Sequence, residues 1–412
     1  MIKAIKGMRD ILPPQSAVWN HVESIVRRVF RTYNYEEIRT PVLEETALFA
    51  RGVGAETDIV SKEMYTFTDR DGASLTLRPE NTAAVIRAYL EHRLDQLPGL
   101  VKLFYLGPMF RRERPQKGRY RQFFQIGAEV IGSPSPVIDA EVIELATVIL
   151  AECGLKDFHL VINSVGDAES RARYVELLRE RLEPVKDRLS ADNRRRAETN
   201  PLRVLDSKDP QDEEVIASLP SILDSLNDHC RAHFATVRQL LDDRRIPYEV
   251  RPRLVRGLDY YTHTTFEVIH GALGAQNSIL GGGRYNGLAE SLGSQIPAPG
   301  IGFSIGEDRL VMAVEESGAA PPVEGPEVFL APLGEAAVRH CAQLAFELRR
   351  RGCRVELAPG LKLKRALELA HKLGARRTVI VGDDELARGA YLVKEMTSGE
   401  QQRLTRDQLL HA

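Results

Sequence analysis

From Val328 onward, strand-like and helix-like stretches alternate without a break, and no other feature of the chain restricts its fold so tightly. The apolar spacing predicts a strand over Val328–Ala331, a helix to Arg351, a strand over Arg354–Leu357, a helix to Leu373 and a strand over Thr378–Val381. Gly352 and Gly374 stand where helix C-caps belong. Such a β-α-β-α-β order requires a small α/β domain with a mainly parallel sheet, because each helix returns the chain before the next strand begins. Gly318–Gly325 (GAAPPVEG) is a linker by composition and sets residues 326–412 apart. At 412 residues the chain exceeds one compact core, so residues 1–320 form a separate domain.

That larger part opens with a helix after Pro13 and Pro14, carrying Val18, Trp19, Val22, Ile25, Val26, Val29 and Phe30 at helical spacing. An extended piece, Glu37–Glu44, holds Pro41, which belongs at a strand edge or end. Val101–Gly107 and Gln122–Ile131 read as strands around a loop crowded with Arg, Lys, Gly and Pro. A helix follows from Pro136 to Gly154, then a strand over Phe158–Asn163. From about Asp167 to about Arg245 long charged helices replace strands, which suggests an inserted helical module. Strands return over Tyr248–Val255, Thr264–Ile269, Asn277–Leu280 and Gly300–Gly306, the last leading into a helix from Glu307.

Five stretches could carry chemistry. In Phe104–Glu129 (FYLGPMFRRERPQKGRYRQFFQIGAE), Arg111, Glu113, Arg119, Phe123, Gln125 and Glu129 can share one face, and 123, 125 and 129 obey strand parity. An arginine fork suits phosphate oxygens and an aromatic suits a planar ring. A solvated hairpin tip would look similar, but Glu129 sits on an otherwise apolar strand, and a buried carboxylate needs a partner. In Leu254–Val268, Arg256, Asp259, Tyr260 and Tyr261 lie between two strands, as ligands or as rim packing. The glycines of Gly281–Leu288 (GGGRYNGL) read as a turn before a helix, able to present backbone N–H groups to an anion or only to shape the chain. In Gly300–Leu310 (GIGFSIGEDRL), Arg309 could stack on a flat ligand, bind phosphate, or face solvent. In Leu75–Ala84 (LTLRPENTAA), Glu80 could hold an ammonium group or favour a helix N-terminus.

Composition removes several classes of function. The formal net charge is −2, so no overall basicity points to nucleic acid, although a clustered face is still possible. Cys153, Cys230, Cys341 and Cys353 form no CxxC pair, so a zinc site or disulfide framework is not expected and a reducing cytoplasm fits. MIKAIKGMRD at the N-terminus lacks a signal-peptide core, and no apolar run has the length of a membrane span.

Taken in order, these stretches closely resemble the bacterial histidyl-tRNA synthetases, a family of class II aminoacyl-tRNA synthetases, over essentially the whole chain. Ile38–Glu45 (IRTPVLEE) resembles class II motif 1, the hairpin around Arg111 motif 2, and Gly300–Leu310 motif 3; Leu254–Glu267 and Gly281–Leu288 resemble the two stretches peculiar to the histidine enzymes. The resemblance implies an α+β fold: a class II antiparallel sheet flanked by helices, a helical insertion, and a C-terminal α/β anticodon-binding domain. It implies a homodimer that joins L-histidine to tRNA(His), with ATP as substrate, Mg2+ accompanying it, no zinc and no protein-only metal site.

Residue roles follow by the same resemblance. Arg111 would bind the α-phosphate, Arg119 the triphosphate tail with Glu113 beside them, and Phe123 with Arg309 the adenine. Glu80, Thr82 and Gln125 would hold the α-ammonium, while Glu129 and Tyr261, with Tyr260 adjacent, would hold the imidazole. Arg256 would stand where a metal usually serves in this class, and with Arg111 would carry the catalysis. Asn81 departs from the small residue expected there. A regulatory paralogue of these enzymes would lack the C-terminal domain and parts of the arginine signature, both of which this chain keeps.

Overall fold

The computed structural model describes residues 2–411 apart from 56, 208, 255, 272–277 and 323, and apart from the side chain of 206. Val255 and Asn277, at the ends of two expected strands, and Val323 in the expected linker therefore lie outside the described residues. The chain separates into two compact units, Met1–Pro321 and Pro322–Ala412.

The first unit opens with helix Gln15–Thr32, whose buried Trp19, Val22, Ile25, Val26, Val29 and Phe30 form the apolar stripe seen in the sequence. Strand β1 (Glu36–Glu37) comes next, followed by β2 (Leu43–Glu45), β3 (Tyr65–Thr68) and β4 (Ser74–Leu77), which make a small sheet in the order β2-β4-β3. The expected extended run Glu37–Glu44 is thus broken around Pro41. Instead of pairing in a ladder, the carbonyls of Thr40 and Pro41 accept from the guanidinium of Arg78, at 3.1 and 3.5 Å.

The main sheet adds β5 (Val101–Phe110), β6 (Gln122–Ile131), β7 (Phe158–Ser164), β8 (Glu249–Val250), β9 (Thr262–His270), β10 (Ser278–Arg284) and β11 (Gly300–Gly306). Its order is β1-β5-β6-β11-β10-β9-β7-β8. The six strands from β5 to β7 pair antiparallel, and only the two-residue edges β1 and β8 run parallel to their neighbours. Strand β8 stops at Val250, short of the expected Val255. Beyond it Pro252 cannot donate to a ladder, and the carbonyls of Pro252 and Leu254 accept from Asn163 Nδ2 at 3.1 and 3.0 Å.

Strand parity gives this sheet two different faces. Ile126, Ala128 and Val130 of β6 and Ile301, Phe303 and Ile305 of β11 join one large core with helices Gln15–Thr32, Pro136–Glu152, Asp228–Asp243 and Glu307–Glu316. Burying each large apolar side chain there contributes about 1.5–3 kcal/mol. Phe123, Gln125 and Glu129 point to the other face, which is left for polar work. The helical region after β7 holds no strand among its described residues, and Tyr174, Leu178, Leu189, Val204 and Val215 give it a core of its own. Its last helix, Asp228–Asp243, packs Phe234, Val237 and Leu241 into the main core instead.

The second unit holds β12 (Val328–Pro332), β13 (Val355–Leu357), β14 (Arg377–Val381), β15 (Ala390–Glu395) and β16 (Gln401–Thr405), in the order β13-β12-β14-β15-β16. Strands β12, β13 and β14 are parallel, with helices Glu335–Arg350 and Leu363–Lys372 between them, as the alternation predicts. The rest of the sheet is antiparallel, which corrects the expectation of a mainly parallel sheet. The turn between β15 and β16 is too short for a crossover, so only a hairpin can form. Among the described residues no helix is long and apolar enough to cross a membrane, and the four cysteines are free.

Candidate active site

The polar face of the main sheet floors a cavity of about 660 Å³. Its walls include the loop from β5 to β6, the segment before β9, the junction from β4 into helix Thr82–Glu91, and Asp58, Ile59 and Arg196 from two further segments. Arg111, Glu113, Arg119, Phe123 and Arg309 line one part, and Glu80, Thr82, Gln125, Tyr260 and Tyr261 line another, with Arg256 also in the wall. These residues, scattered along the chain from Glu80 to Arg309, share one cavity.

The cationic part is held by specific contacts. Arg111 donates from Nε to the carbonyl of Pro79 at 2.9 Å, and its guanidinium lies 5.3 Å from the centre of the Phe123 ring. Arg119 pairs with Glu113 at 2.8 Å, so Glu113 orients one arginine of the loop. Arg309 donates to the carbonyls of Gly118 at 3.2 Å and Ser278 at 2.6 Å, which ties the loop and β10 to the first turn of helix Glu307–Glu316. Burial and the neighbouring Arg119 lower the Arg309 pKa, the expected effect of crowding cations in one place.

In the other part, Glu80 caps a helix and faces the cavity at once. Its carboxylate accepts from the backbone N–H groups of Thr82 at 2.8 Å and Ala83 at 3.0 Å. Burial pushes its pKa up against those bonds. Gln125 donates to Ser304 at 3.3 Å. Glu129 is not in the cavity wall: it lies behind it, 1% exposed, accepting from Thr82 Oγ1 at 2.7 Å and from the Tyr285 hydroxyl at 2.6 Å. Burial raises its pKa to about 8 despite both bonds. A cation arriving nearby would favour the ionised carboxylate.

The glycine stretch Gly281–Gly283 is not a turn, contrary to the reading of GGGRYNGL; it lies within β10. Its glycines make room rather than bind anions. A Cβ on Gly281 would collide with the Arg256 guanidinium, and one on Gly302 of β11 would collide with Glu129. Arg284 of the same motif is fully buried and pairs with Asp139, donating also to the carbonyls of Ser133 and Ser135. Asn81, the departure in the β4 junction, accepts from Thr40 Oγ1 at 2.6 Å and from Arg78 at 3.3 Å. It belongs to the scaffold under Glu80 rather than to the cavity wall.

Sequence reasoning missed three contributors. Tyr285 holds Glu129, Glu267 lies 3.2 Å from Arg256, and Ser304 receives Gln125. Tyr285 sits inside a motif already singled out. Glu267 and Ser304 also lie inside stretches already singled out, Leu254–Val268 and Gly300–Leu310, but their contacts with Arg256 and Gln125 are visible only in the folded chain.

An antiparallel sheet flanked by helices, with arginines over its open face, is the architecture of class II aminoacyl-tRNA synthetases. Residues 7–310 match the family model for histidyl-tRNA synthetase, and residues 327–412 match that for an anticodon binding domain. The chain belongs to the histidyl-tRNA synthetase family. It is 66% identical over 409 residues to a histidine–tRNA ligase of Solibacter usitatus (strain Ellin6076), covering 99% of this chain and 98% of that protein. It is 55% identical to a histidine–tRNA ligase of Koribacter versatilis (strain Ellin345), covering 99% and 95%. The crystal structure of apo S. aureus histidyl-tRNA synthetase superposes with a TM-score of 0.84 at 41% identity, covering 100% of this chain and 99% of that one.

Proposed function

We propose that this chain is a histidine–tRNA ligase whose cavity performs both half-reactions. The histidine carboxylate attacks the α-phosphorus of ATP, a new O–P bond forms, and pyrophosphate leaves. The 3′-terminal hydroxyl of tRNA(His) then attacks the carbonyl of the histidyl-adenylate and AMP departs. Both reacting groups in the first step are anions, so positioning and charge neutralisation dominate, and no protein nucleophile is required. Arg111 and Arg256 supply that positive charge. Arg119, Glu113, Phe123 and Arg309 hold the nucleotide; Mg2+ enters with the triphosphate, and no zinc is invoked.

The observation that carries the histidine reading is Glu129 behind Thr82, bonded to Tyr285, against whose ring Tyr260 packs with Tyr261 beside it. Tyr260 and Tyr261 line the cavity, and the buried carboxylate behind its wall rewards a ring that presents N–H groups there. A substrate lacking them leaves polar groups unpaired and is rejected by roughly 10⁴-fold or more. Glu80, Thr82 and Gln125 then take the α-ammonium. Purified protein should exchange labelled pyrophosphate into ATP only when histidine is supplied; exchange driven by another amino acid would overturn the assignment.

Residues 326–412 bind the anticodon arm of tRNA(His), and residues 1–320 carry the chemistry. The chain acts as a cytoplasmic homodimer through the segment around Pro41. Val42 and Leu43 are each 37% exposed there, beside the edge strand β2. Sedimentation of the purified protein at the mass of one chain would refute the dimer.

A further inference from the structure

The N-terminal residues before helix Gln15–Thr32 have no role in the mechanism above, yet they run against the ATP side of the cavity. Arg121, at the end of the β5–β6 loop, donates its backbone N–H to the carbonyl of Gly7 at 2.7 Å and its guanidinium to the carbonyl of Lys6 at 3.5 Å. Gly7 has φ +87°, and a Cβ there would come within 2.8 Å of Arg121 and 3.0 Å of Pro115. Two residues later, the Arg9 guanidinium lies 4.4 Å from the centre of the Tyr120 ring. The same guanidinium pairs with Asp308 at 2.9 Å and donates to Gln15 at 3.1 Å. The second oxygen of Asp308, 2.9 Å away, accepts the backbone N–H of Phe124.

Arg9 therefore touches both structures that hold nucleotide in the proposed mechanism. Tyr120 follows Arg119 in the loop, and Asp308 precedes Arg309 in the first turn of helix Glu307–Glu316. Tyr120 and Asp308 themselves line the cavity, whereas Arg9 stands behind them. We propose that the Gly7–Arg9 strap is a positioning element for ATP, with Arg9 setting the separation between the β5–β6 loop and the helix of Arg309. Stacking on Tyr120 fixes the loop, and the ion pair with the largely buried Asp308 fixes the helix. Neither contact reaches Glu80, Thr82 or Glu129 directly, so the strap acts first on the nucleotide side. Displacing a positioning group by about 1 Å can cost up to ~10²-fold in rate, so a strap outside the cavity suffices to govern nucleotide use.

This inference rests on the ATP reading of the loop and is tested with the full-length protein in histidine-dependent pyrophosphate exchange. Arg9→Gln should raise KM for ATP about tenfold while KM for histidine stays within about twofold. Arg9→Lys, which retains the charge but not the planar fork, should fall between. Gly7→Ala should raise KM for ATP in the same direction although it removes no charged or polar group. An unchanged KM for ATP, or equal rises for ATP and histidine, would overturn the proposal. A measurement on the unaltered protein stands independently of how these variants fold. Adding ATP should slow amide hydrogen exchange in residues 5–9 together with 111–121, and protection of the loop alone would also overturn it. Unaltered protein that shows no histidine-dependent exchange would instead sink the proposed function.

Discussion

Burial raises the Glu129 carboxyl from 4.5 to about 8, outweighing the two hydrogen bonds that favour its ionised form. The folded state therefore keeps a proton that the unfolded chain releases above 4.5. The resulting stability is fully present below 4.5 and is lost as pH rises through about 8. Glu129→Gln removes that dependence, so its thermal midpoint should gain on the unaltered protein as pH rises across this window; parallel curves by calorimetry would sink the idea. Arg256 stands in the cavity wall beside Glu267, 22% exposed, and the proposed mechanism gives it a role in the chemistry. Arg256→Ala should cut pyrophosphate exchange by about 10²-fold or more, the size of a lost electrostatic contact to the transition state, while leaving the unfolding midpoint nearly unchanged. A near-normal rate would remove Arg256 from the mechanism.

Strands β10 and β11 shape the site through their glycines. Their glycines let Arg256 and Glu129 lie flat against the sheet, and Gly302→Ala would force Glu129 aside. Histidine-dependent exchange should fall sharply in Gly302→Ala with KM for histidine raised more than KM for ATP, as steady-state kinetics would show. Arg284 ends β10 in a buried network with Asp139, and Asp139 also accepts from His233 at 2.8 Å. Burial alone would raise the Asp139 pKa, but His233 and Arg284 hold it below the usual carboxylate range. Arg284→Leu leaves that carboxylate without its main partner and should cost about 3–5 kcal/mol in urea unfolding. A cost under about 1 kcal/mol would mean the network contributes little.

Each of the two units carries its own apolar core, so the labour of the molecule can be divided experimentally. Removing the residues after Gly325 should depress charging of tRNA(His) far more than histidine-dependent pyrophosphate exchange. Equal loss of both activities would show that the second unit serves the chemistry directly.

Periodicity alone located most elements, because apolar alternation and helical stripes are local properties of the chain. Gln122–Ile131 matches β6 residue for residue, and the stripe from Trp19 to Phe30 is the buried face of its helix. The cavity residues were legible only through long motifs, since no local pattern links Glu80 to Arg309. Tertiary structure decided what local pattern could not. It made a strand of Gly281–Gly283, where the close approach of Arg256 and Tyr261 leaves no room for side chains. It placed Glu129 behind the cavity wall, and it turned the end of the second sheet antiparallel. It brought Gln125 to Ser304 and Arg9 to Asp308, 299 residues apart in the latter pair, because sheet register and packing act between segments that the sequence keeps distant.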